Sequence, residues 1–135
     1  MSYIADSAVN QVLEAVIGLI NATQPFAPVT RGALTVGVGI TCEIDPTTPR
    51  YMYMDKNTVI PLGVVINGKH PNLTILSDAL NGIHGALTRL TAYPSESAWE
   101  IVDIKTYTLP RLIGREENNE WLMASALSVE FYWRG

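Results

Sequence analysis

The side chains in this sequence that could do chemistry are few and scattered. His70 and His84 are the only histidines, and Cys42 is the only cysteine. No Cys/His or His/carboxylate group stands at metal-ligand spacing. His84 falls beside the apolar stripe of a predicted helix, where a packed or partly exposed histidine is the plain reading. His70 falls in a predicted loop. Glu116, Glu117 and Glu120 are close enough in sequence to be imagined as paired carboxylates for acid–base work, but a solvated charged loop explains them better. No serine sits in a nucleophile elbow. Gly37 and Gly39 lie inside a predicted strand, not between a strand and a helix, so they make no phosphate loop. The residues themselves therefore point to no catalytic group, no cofactor site and no metal site.

The elements that must position these residues are easier to read. The last stretch, Trp121 to Trp133, alternates: Leu127, Val129, Phe131 and Trp133 point one way, while Ser128, Glu130 and Tyr132 point the other. Period 2 marks a strand with one buried face. Val9, Val12, Leu13, Val16, Ile17 and Ile20 recur at helical spacing, and Pro25 and Pro28 end that helix. Ala33 to Ile44 predicts a strand with Leu34, Val36, Val38, Ile40, Cys42 and Ile44 in phase, which makes Cys42 a core residue. Tyr51 to Met54 and Thr58 to Ile66 predict two more strands around an Asp55-Lys56-Asn57 turn. Pro61 argues that the second of these is at an edge or bulged. Asn72 is placed to cap a second helix with Ile75, Leu76, Ala79, Leu80, Ile83, Leu87 and Leu90 as its stripe. Trp99 to Tyr107 predicts another strand, and the polar run Thr108 to Glu120 a long connection.

The expected fold is one α+β domain over residues 1–135. Its order is α-β-β-β-α-β-β, with a mostly antiparallel sheet of four or five strands and both helices packed on one face. Leu34, Val36, Val38, Ile40, Leu76, Leu80, Ile83, Leu127, Val129 and Phe131 are its predicted core.

Composition narrows the function classes. Net charge is −4 and no basic run exceeds two residues, so nothing in the sequence makes a footprint for tight nucleic-acid binding. Charged residues are 16% of the chain, against a usual ~25%. That suggests a surface partly covered by partner protein. No signal peptide is visible, and no stretch reaches the ~20 apolar residues of a membrane span. The expectation is a chain made and folded in a cytosol, with no membrane partner.

Several local strings carry a resemblance. Tyr53-Met54-Asp55-Lys56-Asn57-Thr58-Val59, Asn67-Gly68-Lys69-His70 and Asp78-Ala79-Leu80-Asn81-Gly82-Ile83-His84 resemble the minor capsid proteins of long-tailed phages of Gram-positive bacteria. So do Leu112-Ile113-Gly114-Arg115-Glu116-Glu117-Asn118, Glu120-Trp121-Leu122 and Phe131-Tyr132-Trp133. That family looks similar in fold to tail-terminator, or tail-completion, proteins. The resemblance implies a structural virion component without enzyme activity, made in the host cytoplasm and resident at the head–tail junction. It implies a ring of copies, most simply six, that caps the tail tube and joins it to the head-completion (connector) protein, while DNA passes through without specific binding.

For such a ring the candidate contacts are two polar segments, Asp45 to Asn57 and Arg111 to Glu120. Asp55, Lys56, Arg111, Arg115, Glu116 and Glu117 are the expected interface residues, on loops that are mobile in the free chain and ordered against neighbours. The competing readings are a small cytosolic α+β ligand-binding domain or enzyme, and a general protein-interaction module.

Overall fold

The computed structural model describes residues 6–34, 37–45 and 58–133. Its elements are α1 (Asp6–Ala22), β1 (Val29–Arg31), β2 (Gly39–Ile44), β3 (Thr58–His70), α2 (Leu73–Leu87), β4 (Trp99–Arg115) and β5 (Trp121–Trp133). The order α-β-β-β-α-β-β is the one the sequence predicts. One of the three early strands differs. Tyr51–Met54 lies outside the described residues, and Val29–Arg31 is a strand that the sequence pattern did not announce.

The five strands form one sheet in the order β1-β2-β3-β5-β4. β2–β3, β3–β5 and β4–β5 pair antiparallel, and β1–β2 pairs parallel. A parallel neighbour ordinarily needs a crossover of a dozen residues or more. Here residues 32–38 suffice, because β1 is only three residues long and Gly32 and Gly37 turn the chain at φ 120° and 98°. Those left-handed glycines break the strand that was predicted to begin at Ala33. Pairing starts at Gly39 instead. Val38 is exposed and Leu34 only half-buried, so neither is core, while Val36 lies outside the described residues.

One face of the sheet is apolar by register. Cys42 stands opposite Ile66, Val64 opposite Leu127, Leu62 opposite Val129, and Ile101 opposite Phe131. Both helices cover this face. α1 brings Val12, Leu13, Val16 and Ile20, and α2 brings Leu76, Leu80, Ile83 and Leu87, into a single buried cluster with the strands. The fit is close where α2 crosses β3: a Cβ at Gly68 would stand 2.7 Å from Leu76 Cδ1. The predicted core residues Ile40, Leu76, Leu80, Ile83, Leu127, Val129 and Phe131 are all buried.

Local chemistry explains the ends. Asn72 caps α2 by accepting from the Ile75 N–H at 3.1 Å. In the last turn of α1, the Asn21 side chain holds the start of β1: Oδ1 accepts from Val29 N–H at 2.8 Å and Nδ2 donates to Val29 C=O at 3.1 Å. Pro61 sits where β3 has only β5 beside it among the described residues, since β2 pairs no further than Val64. Its missing N–H therefore costs no ladder bond on that side.

The largest departure from the sequence pattern is β4. It continues through Arg115, so most of the expected loop Thr108–Glu120 is strand. Only residues 116–120 turn the chain into β5.

Candidate functional site

The most chemically suggestive contact is internal. His84 is buried, with Nδ1 2.9 Å from Thr106 Oγ1 and Nε2 2.7 Å from Ser125 Oγ. A serine beside a histidine has the outline of a nucleophile and its base, but Ser125 is itself buried and the second ring nitrogen faces a threonine, not a carboxylate. Burial lowers the His84 pKa below its usual value, which keeps the ring neutral. The cluster ties α2 to β4 and β5. Cys42 is also inert: burial first, and the Glu43 carboxylate second, push its thiol up to about 12. Among the described residues no group of three histidine, cysteine or acidic side chains could hold a metal ion. Among the described residues no helix is long and apolar enough to cross a membrane.

The outer surface of β4 carries more information. β4 is the last strand of the sheet, so one of its edges faces no strand among the described residues. Its pairing with β5 slips four times, between Ile101 and Asp103, Thr106 and Thr108, Thr108 and Arg111, and Leu112 and Gly114. Each slip is a bulge that leaves residues unmatched. The unmatched ones are Val102, Tyr107, Leu109 with Pro110, and Ile113. Nearly all of them are the exposed apolar side chains of this strand: Tyr107 and Leu109 are each 72% exposed, and Ile113 51%. Leu112, in register, adds a further half-exposed side chain. Bulges at a sheet edge usually blunt it against unwanted pairing. These bulges instead turn apolar groups outward over Tyr107–Ile113, and a contiguous exposed apolar row is a mark of a binding surface.

Four of the predicted interface residues, Arg111, Arg115, Glu116 and Glu117, lie on the outer half of β4 or just after it. Arg111 and Arg115 lie on β4, both exposed. The Arg115 guanidinium stacks over the Trp121 ring at 4.9 Å, which anchors it to the start of β5. Glu116 and Glu117 lie in the turn. That turn is held by Asn119 N–H to Glu116 C=O at 3.0 Å and Glu116 N–H to Glu120 C=O at 2.8 Å, with Asn119 at φ 67°. This is the compact three-residue hairpin pattern with a left-handed residue before the return strand. The segment expected to be a mobile loop is therefore the end of a strand and a tight hairpin turn, with ladder pairs to β5 at Arg111, Leu112, Gly114 and Arg115 that the polar composition concealed.

Glu116 is already committed. Its carboxylate meets the Lys69 ammonium at 2.9 Å, and Lys69 is only 4% exposed. A buried cation needs that charge beside it, so Glu116 serves the fold from the turn. Asp55 and Lys56 lie outside the described residues. Farther along the sheet, Lys105 bridges Glu130 at 3.1 Å and Asp103 at 3.6 Å, and the Glu130 contact above all raises its pKa.

The sequence reading missed Tyr107, Leu109, Leu112 and Ile113 as surface features. A signal was present: three aliphatic residues stood inside a run read as polar. Their irregular spacing, which the bulges impose, hid the strand.

A concave feature lies on the helical layer. The end of α1, residues 22–26 and the outer side of α2 enclose a groove of about 780 Å³, lined by Leu19, Phe26, Ile75, Ala79 and Leu90 among others.

No family model matches the chain, and no curated protein does. Among solved structures, a chain of a structure titled "Virion of native gene transfer agent (GTA) particle" shares this fold at a TM-score of 0.51 and 13% identity. The superposition covers 92% of this chain and 91% of that one. At that identity the likeness is one of fold.

Proposed function

We propose that the protein is a structural component of a phage-like virion, acting as a tail terminator. In this role a ring of copies, six in the simplest case, caps the tail tube and joins it to the head-completion protein. The observation that carries the reading is the fold likeness, over nearly the full length of both chains, to a chain of a gene transfer agent virion. The resemblance of the Asn67–His70, Asp78–His84 and Leu112–Asn118 strings to phage minor capsid proteins points the same way.

The physical chemistry supports it. A ring through which a genome moves must not hold the genome, because each neutralised phosphate releases counterions and adds affinity. A chain of net charge −4, without a basic run, meets that need. A ring also needs two different complementary flanks on each copy, and the bulged edge of β4 supplies material for one of them.

Deleting the gene tests the role. The expected phenotype is tails of abnormal length, or tails without heads, seen by negative-stain electron microscopy and rescued by the wild-type gene in trans. Normal tails joined to heads in the deletion strain would remove the terminator assignment.

A further inference from the structure

We infer that the bulged edge of β4 seats in the groove between α1 and α2 of a second copy of this chain, so that copies add head to tail. This contact rests on the ring reading and names the surfaces that would build it. The two surfaces are matched in three respects. The edge is a ridge, since its bulges push Tyr107, Leu109 and Ile113 outward. The groove is concave, about 780 Å³, and largely apolar, with Leu19, Phe26 and Ile75 in its walls. Its floor includes Ala79, Gly82 and Ala86, and the space above Gly82 is open, so a strand can approach the α2 backbone closely.

Charge gives the third match. From Tyr107 to Arg115 the only charged residues are Arg111 and Arg115. Among the described residues that line the groove, the only charged one is Asp78, which is exposed. The arginines of the ridge would meet the Asp78 carboxylate of the next copy, and such a pair sets register.

The same facts disfavour joining two β4 edges to each other. That arrangement gathers four arginines along one seam, and Pro110 has no N–H to give to a ladder. A ridge meeting a groove on a different part of the molecule is a heterologous contact. It leaves each end of a growing chain with one unfilled surface until a ring closes.

Site-directed disulfides test the pairing. Cys42 is buried with its thiol held protonated, so it stays silent in the background. Equal amounts of a Leu112→Cys chain and a mass-tagged Ala79→Cys chain are mixed, oxidised and resolved without reductant. Mixed Leu112→Cys/Ala79→Cys dimers should dominate over both kinds of like pair, and a chain carrying both substitutions should give a ladder that stops at the ring size. Leu109→Asp, at a side chain 72% exposed, should weaken self-association of the full chain about 30-fold or more, as loss of a central apolar anchor does. Dominant Leu112→Cys like pairs would overturn the proposal in favour of edge-to-edge joining. Assembly of the wild-type chain without mixed dimers would overturn it while leaving the ring intact. A wild-type chain that stays monomeric by sedimentation at all concentrations tested would overturn the ring reading and this contact together.

Discussion

Replacing Phe131 with alanine lowers the free energy of unfolding by about 3–5 kcal/mol. Phe131 has no exposed surface. It stands on β5, a strand with a hydrogen-bonded neighbour on each side, opposite Ile60 on β3 and Ile101 on β4. Truncation removes the ring from the apolar layer beneath the helices. The gap cannot close easily, because β5 is clamped by β3 along its whole length and by β4 along most of it. The lost transfer energy therefore adds to a cavity cost. Chemical denaturation should show the loss as a lower midpoint at an unchanged slope. A midpoint near that of the wild type would contradict the register of β5.

Replacing His84 with leucine is the second large effect. The substitution keeps the bulk but leaves the buried Ser125 Oγ and the part-buried Thr106 Oγ1 without the imidazole. An unpaired buried polar group costs about 1–3 kcal/mol, a loss that falls chiefly on Ser125. Adding Ser125→Ala to His84→Leu should recover part of it, because the orphaned hydroxyl is then gone. The same histidine makes stability fall in acid. Burial sets its folded pKa below the ordinary value of about 6.5. The unfolded chain thus takes up a proton first as pH drops. The contribution is complete above pH ~6.5 and is lost as pH falls towards the depressed folded value. In His84→Leu this part of the pH dependence should vanish. A stability profile between pH 7.5 and 5 with the same slope in both proteins would mean that another group titrates.

How much of this was legible in the sequence follows from periodicity. The α1 and α2 stripes and the β5 alternation span many residues without interruption, so a single period identifies each, and the two-layer fold follows. The role of Asn72 as a cap was legible because only a few residue types can accept from the N–H of a first helical turn. β1 was not legible, since three residues carry no period and its partner is set by the Asn21 side chain and two left-handed glycines. The outer half of β4 was misread for a different reason. Each bulge shifts the in–out pattern by one, so Tyr107–Arg115 shows neither a strand period nor a loop composition. That is also where the proposed contact surface lies. Arg111 and Arg115 were picked out by their charge and lie on the same strand. Glu116 was picked out for the same reason, yet it balances the buried Lys69, a contact with a residue 47 positions earlier that no local pattern announces.

The central claim is that this chain is a fixed part of a virion at the point where head meets tail. Gold-labelled antibody against the chain, applied to purified particles and imaged by electron microscopy, measures that position directly. The account predicts label on one site per particle, at the head–tail junction. Label spread over the head shell, at the distal tail tip, or absent from intact particles that are otherwise complete would contradict it.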